Sequence, residues 1–187
     1  MAAPASVSLQ DLTGNFTLNK KLSSSPEAML VLQGIGWVAR KALSMAPITL
    51  HVKQFSEEGE AHVHIAQTAP GGIQGALERR AFNGKEVEYE LPTIGKIKGR
   101  SSMVALESID DSFLKKNWVL EAEGTLMRSC IDSVDNGWSA NQVWGFQEIG
   151  GKRHYCRNIV LLSGKGKKDR KELLFIYDYL GSYTEVQ

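Results

Sequence analysis

Cysteine is scarce in this chain, with only Cys130 and Cys156 in 187 residues. A small secreted domain held by disulfides carries more, at framework-like spacings, and no C-x-x-C pair offers a metal site. Two reduced core thiols are the expectation, with one disulfide between distant strands as the alternative. Charge of one sign is also missing. Twenty-two basic residues stand against 21 acidic ones, a net +1, so no global field draws in nucleic acid or an anionic membrane surface. No apolar run approaches the roughly 18 residues of a membrane-spanning helix. The stretch Met1 to Leu9 has neither the basic nor the apolar segment of a secretory leader, which makes a cytoplasmic address the expectation. A glycine-rich phosphate loop, a G-x-S-x-G elbow and an H-E-x-x-H pair are all absent, and no cofactor or metal is expected. No internal repeat suggests a propeller or solenoid, and nothing points to a particular oligomeric state. The one basic cluster, Lys165, Lys167, Lys168, Arg170 and Lys171, sits among glycines between two apolar runs and reads as a solvated hairpin tip.

What is present is an ordinary folding composition, 42% hydrophobic and 23% charged, in a length that suits one domain. Residues 1–10 are small and polar and read as disordered. Residues 11–181 form the body, and 182–187 a tail. Leu12 to Leu18 alternates as a first strand. Ser25 and Pro26 then suit a helix start, with Met29, Leu30 and Leu32 recurring before Gly34. A second short helix runs from Trp37 to Met45 and ends before Pro47. From Ile48 the period becomes two. Strand-like runs follow at 48–55, 61–67, 73–82, 87–91, 94–106, 118–126, 127–134, 138–149, 153–162 and 173–179. Gly71-Gly72, Asp135-Asn136-Gly137 and Gly150-Gly151 break them, and Asn83-Gly84 predicts a tight hairpin. Many short strands, tight turns and one helical insertion define a mainly β chain. The expected fold is a single antiparallel up-and-down barrel of roughly ten strands with a helix-turn-helix lid after the first strand. A barrel that wide is not filled by side chains alone, so a cavity for a small apolar or amphipathic organic ligand is expected.

The opening Leu12-Thr13-Gly14-Asn15-Phe16, the lid segment Gly34-Ile35-Gly36-Trp37-Val38-Ala39-Arg40-Lys41 before Pro47, and the late Arg153-His154-Tyr155 together resemble the calycin superfamily, and its fatty-acid-binding branch most closely. In that branch a strand of the form G-x-W-x-L leads into a lid carrying a G-V-x-x-x-x-R-K segment. The R-x-Y of the last strand binds the ligand carboxylate. The resemblance implies that Arg153 and Tyr155 hold a ligand oxygen and that Trp37 and Arg40 belong to the lid. The present chain departs from the branch by continuing past Tyr155 through a further strand-like run. Phrases such as Gln142-Val143-Trp144-Gly145-Phe146 and Ile176-Tyr177-Asp178-Tyr179 are similar to small fungal calycin-like proteins, some of secondary-metabolite pathways. That likeness implies a cofactor-independent cyclase or isomerase.

Residue by residue, Arg153 and Tyr155 share one strand face, where a guanidinium and a phenol can hold one carbonyl, enol or carboxylate oxygen. The competing reading is an exterior strand. Asp178, between Tyr177 and Tyr179, is a candidate acid or base if it is buried and an ordinary outward carboxylate if it is not. His62 and His64 share a face without a third metal ligand. Solvent-facing histidines are the simpler reading, and His64 as a pocket base the sharper one. Trp118, Gln142 and Trp144 are candidate pocket walls, and Arg128, two residues from Cys130, a candidate polar wall. Glu78, Arg79 and Arg80 read as an exterior charged patch. The site thus comprises catalytic Arg153, Tyr155 and Asp178, with Trp37, Arg40, His64, Trp118, Arg128, Gln142 and Trp144 contacting the ligand and no metal. The functional expectation is a cyclase or isomerase of a secondary-metabolite intermediate. The alternative is a non-catalytic carrier of a fatty acid or related lipid.

Overall fold

The structure is a computed structural model, and it describes residues 1–91 and 94–185. Among the described residues, ten strands form one antiparallel sheet. In chain order they are β1 (Gly14–Leu18), β2 (Thr49–Glu57), β3 (Glu60–Ala69), β4 (Ile73–Ala81), β5 (Val87–Leu91), β6 (Gly95–Ala105), β7 (Thr125–Ser133), β8 (Ser139–Ile149), β9 (Lys152–Ser163) and β10 (Asp169–Gly181). Two short helices, α1 (Glu27–Leu32) and α2 (Trp37–Met45), lie between β1 and β2. A single turn of helix, α3 (Ser112–Lys115), precedes β7. Neighbours in the sheet run β4-β3-β2-β1-β10-β9-β8-β7-β6-β5, so the chain goes up and down and β1 pairs with β10. The strands form because apolar residues recur every second position. The turns form where the backbone can go left-handed, as at Gly150 and Gly151, whose φ values of 58° and 72° suit a two-residue hairpin between β8 and β9.

Alternation sends Phe16, Leu50, Val52, Val63, Ile65, Met127, Trp144, Phe146, Tyr155 and Ile159 inward, and all of them are buried. The outer faces of β8 and β9 are buried as well. The segment around α3 lies over them. Asp111 caps it by accepting the Phe113 and Leu114 N–H groups at 3.0 and 3.1 Å. Asn158 Nδ2 ties it down by donating to the Phe113 and Lys116 carbonyls at 2.9 and 3.2 Å. A side chain at Gly145 would meet Leu126 Cδ2 at 2.7 Å and Trp118 Cε3 at 2.9 Å, so only glycine lets Trp118 lie flat on this wall.

Several sequence expectations are corrected. Residues 1–10 pack against the barrel. Ala3, Val7 and Leu9 are buried, the Ala3 N–H donates to the Arg153 carbonyl at 2.8 Å, and the Leu9 N–H donates to Glu121 Oε2 at 2.7 Å. Small residues suit this close packing, a contact invisible to local polarity. Residues 118–124 form no strand, and only 125 and 126 of the expected run 118–126 join one, as the start of β7. Val119 makes one isolated bridge to Phe146, and a turn follows. The hairpin expected at Asn83-Gly84 does not form, because β4 and β5 are the two ends of the sheet. Gly84, with φ 75°, instead carries the chain across the seam and donates its N–H to the Ser101 carbonyl at 2.8 Å, while Asn83 bridges to Ser102. Both cysteines are free thiols. Of the tail, 182–185 lie beside β1, where Asn15 Nδ2 donates to the Ser182 carbonyl and to Thr184 Oγ1. Residues 186 and 187 lie outside the described residues.

Candidate functional site in the barrel interior

The inward face of β9 carries Arg153, Tyr155, Arg157, Ile159 and Leu161 at successive alternate positions. Cross-strand register sets Tyr155 beside Phe146 and Tyr177, and Arg157 beside Trp144. Tyr155 is 0% and Arg157 only 6% exposed. Arg157 Nε donates to Tyr155 Oη at 2.8 Å. Its guanidinium lies 4.0 Å from the Trp144 ring centre and 5.2 Å from that of Tyr177. A charge this deep is held by cation–π contact, a hydrogen bond and the more distant charge of Glu78, with no direct carboxylate ion pair among the described residues. Its Nη2 is buried and has no hydrogen-bond partner among the described residues.

A second guanidinium approaches the same tryptophan from across the barrel. Arg80 lies 5.3 Å from the Trp144 ring centre, pairs with Glu78 Oε2 at 2.7 Å, and donates through Nη1 to Ser129 Oγ at 2.8 Å. Trp144 Nε1 in turn donates to Gln142 Oε1 at 3.2 Å. Burial works to raise the Glu78 carboxyl, but the charges of Arg80 and then Arg157 outweigh it and hold the group below the usual range. Burial pushes the Tyr155 and Tyr177 phenols above their ordinary value, against the pull of Arg157. Two guanidinium ions thus face one carboxylate across an aromatic box, with neutral phenols beside them.

The lid covers one end. A cavity of about 30 Å³ lies under it, between Met29, Leu32 and Gln33 on the helical side and Ile131, Trp138, Ala140, Gln142 and Leu161 on the barrel side. Neither α1 nor α2 contains a buried residue. The two helices are tied to each other by Arg40, whose Nε meets Glu27 at 2.7 Å and whose Nη1 donates to the Ile35 carbonyl at 2.7 Å. Segments with little buried surface open at small free-energy cost. This cavity as it stands has room for no more than a water or two. The opposite end is plugged by the N-terminal segment, where Arg153 donates to the Pro4 and Val7 carbonyls, pairs with Glu121 at 2.6 Å and lies 3.4 Å from the Phe146 ring centre.

The sequence-derived candidates therefore divide. Tyr155, Trp144 and Gln142 meet in the interior. Arg153 shares their face, but its guanidinium is engaged at the plugged end. Asp178 faces outward, bonded to the Met1 ammonium and to Asn19 Nδ2 at 2.9 Å each, because the inward positions of β10 belong to Tyr177 and Tyr179 by aromatic contact. His64 lies on the outer face against Phe55, with ring centres 4.9 Å apart, and burial followed by the Arg79 charge lowers its pKa. Trp118 covers the outside of β8, with its Nε1 bonded to the Leu114 carbonyl at 2.7 Å. Arg128 lies on the outer face of β7, out of phase with inward Met127 and Ser129. Trp37 projects from α2 and is 65% exposed, and Arg40 is a tie within the lid. Sequence reading missed Arg157, Arg80 and Glu78. The signal was there: Tyr155 and Arg157 are in phase, as are Glu78, Arg80 and Phe82.

Strand order, lid and insertion point give the chain the fold of the fatty-acid-binding β-barrels. Lipid binding protein 8 of Caenorhabditis elegans superposes with a TM-score of 0.52 at 17% identity, over 93% of this chain and 100% of that one. A Schistosoma mansoni fatty acid binding protein in complex with arachidonic acid gives 0.53 at 11% identity, over 90% and 96%. In sequence, the chain is 28% identical over 185 residues to the pericyclase pydY of an Acremonium species, covering 97% of this chain and 98% of the relative. It is also 28% identical over 186 residues to a probable pericyclase, scpY, of Mollisia scopiformis, covering 96% and 95%. No family model matches the chain.

Proposed function

We propose that this protein is a cofactor-independent cyclase or isomerase of the pericyclase type, acting inside the barrel on a small, largely apolar, conjugated molecule that carries a carbonyl or enol oxygen. The observation that carries the reading is Arg157, a charge buried in an aromatic box with one guanidinium nitrogen unpartnered among the described residues. Full-length similarity to two fungal pericyclases supports it.

An intramolecular pericyclic step reorganises π and σ bonds around a ring of atoms, so no atom is gained or lost and no external acid, base or redox partner is consumed. It requires a folded substrate and a polarised π system. Trp144, Phe146, Tyr155 and Tyr177 supply walls that hold a flexible chain in one reactive shape, and such orientation alone can contribute about 7–11 kcal/mol. The Arg157 Nη2, unpartnered among the described residues, donates to the oxygen of the conjugated system and draws electron density from it. Tyr155 sets the angle of the guanidinium by accepting from Nε. Arg80 and Glu78 hold Trp144 from the other side. The lid admits the substrate and then excludes water.

Mass spectrometry of molecules that co-purify with the protein, followed by their incubation with fresh protein, tests the reading. A conjugated precursor converted to an isomer of unchanged mass, in a product ratio different from the spontaneous reaction, is the expected result. A fatty acid released unchanged would identify a carrier and overturn the proposal.

A further inference from the structure

The outer wall of the barrel holds a second polar pocket, separate from the interior. It has a volume of about 150 Å³ and is lined by Gly84, Arg100, Ser102, Arg128 and Cys130. The register between β6 and β7 pairs Arg100 with Cys130 and Ser102 with Arg128, so the two guanidinium groups are diagonal neighbours on one face. Gly84 closes a third side as the chain crosses the seam, fixed by its N–H to the Ser101 carbonyl. It has no side chain to fill the space.

The charge here is uncompensated. Along the same outer face, Lys98 lies within 3.7 and 3.8 Å of Glu86 and Glu88, and Asp132 is taken by Lys167 at 2.5 Å. Arg40, Arg80, Arg153 and Arg170 each have a carboxylate. Arg100 and Arg128 have none among the described residues, although they sit side by side. The Arg128 Nε is moreover buried, and no acceptor meets it among those residues. A buried guanidinium N–H without an acceptor beside a second like charge is an unfavourable arrangement that an anion would relieve.

We infer that the Arg100–Arg128 pocket on the outer wall binds a phosphate-type dianion. Two guanidinium forks match two negative charges and tetrahedral oxygens, and phosphate carries close to two charges at neutral pH. The Ser102 hydroxyl adds a further donor. The pocket is smaller than the roughly 300–1,000 Å³ of whole-ligand sites, so it takes a phosphate group or the free ion, not a large organic body. This site is independent of the interior chemistry and stands or falls without it.

Cys130 lines the pocket and is half-buried, whereas Cys156 is buried and its thiol is pushed up to about 12. Thiol labelling of the intact protein therefore reports on Cys130. Inorganic phosphate, titrated against chloride at matched ionic strength, is expected to slow labelling several-fold with saturation and to raise the melting temperature. Arg100→Gln and Arg128→Gln are each expected to abolish both effects, while Arg79→Gln, at an exposed arginine without an ion pair among the described residues, keeps them. Because Arg100 is exposed, its substitution leaves the fold intact even if that of Arg128 does not. Phosphate and a phosphate monoester acting alike would place recognition on the phosphate group, as inferred. A response equal to that of chloride, or one that survives Arg100→Gln, overturns the inference.

Discussion

Replacing Arg157 by methionine separates what this residue does for the fold from what it does for chemistry. The substitution keeps a long, flexible side chain and removes the charge. It takes away the Nε donor to Tyr155 Oη at 2.8 Å, leaving a buried phenol oxygen short of a partner, which costs about 1–3 kcal/mol. It also removes the cation–π contact over Trp144 at 4.0 Å, about 1–2 kcal/mol at a desolvated site. Against these stands relief from burying a charge with an unpartnered Nη2, an effective penalty of a few kcal/mol in a protein interior. The sum lies near zero, and the unfolding free energy is expected to change by no more than about 2 kcal/mol either way. Turnover should not be spared in the same way. Loss of one preorganised donor to a reacting oxygen lowers kcat by about 10²–10³-fold, with KM changed far less. Arg157→Lys keeps charge without the fork and should fall between the two. Urea denaturation followed by tryptophan fluorescence gives the first quantity, and single-turnover product formation the second. A folded Arg157→Met protein that turns over at the parental rate would refute the assignment of Arg157 as the polarising group.

Two further outcomes follow from the packing. Tyr155, Tyr177 and Tyr89 all have folded pKa values raised above the ordinary phenol, with burial as the leading cause. Their contribution to stability is complete below the unfolded value near 10 and is lost as pH rises from there through the folded values, at about 1.4 kcal/mol per pH unit for each. A denaturation midpoint that stays flat from about pH 9 to 11 would contradict this burial. Gly145→Ala should destabilise by about 1–3 kcal/mol, because its Cβ would press on Leu126 and the rigid Trp118 ring. Trp118→Leu in the same chain should recover part of that loss, as read from melting curves, and simple additivity would show that the two sites do not touch.

Much of the scaffold was legible because it is written locally. Period-two alternation marks β2, β3 and β6 to β10, and the early helical insertion marks the lid. The misreadings share a cause, which is that the deciding contact lies far away in sequence. Asn83-Gly84 has the chemistry of a tight hairpin, yet β4 and β5 pair with β3 and β6 and not with each other. Trp118-Val119-Leu120 has strand-like composition, but its indole is claimed by α3 and the outside of β8. At the site, alternation alone puts Arg153, Tyr155 and Arg157 on one face. Which arginine meets the phenol depends on which end of the barrel the N-terminal residues plug. Nothing near residue 155 encodes that choice. Glu78 and Arg80 were misjudged because charge was read as exposure, although Phe82 in the same phase marks the inward side.

Among the described residues, the ring of hydrogen bonds that would fix a barrel's girth is open at one place, between β4 and β5. A closed hoop sets its diameter by strand number and shear. A split hoop can widen by moving its two lips apart while the ladders between paired strands stay whole, at the cost of the contacts that cross the seam, the Asn83–Ser102 bridge and the Arg80–Ser129 hydrogen bond. On the proposed function, preference among substrates should be sharp for the position of the oxygen that Arg157 would hold, and tolerant of bulk on the side that faces the split.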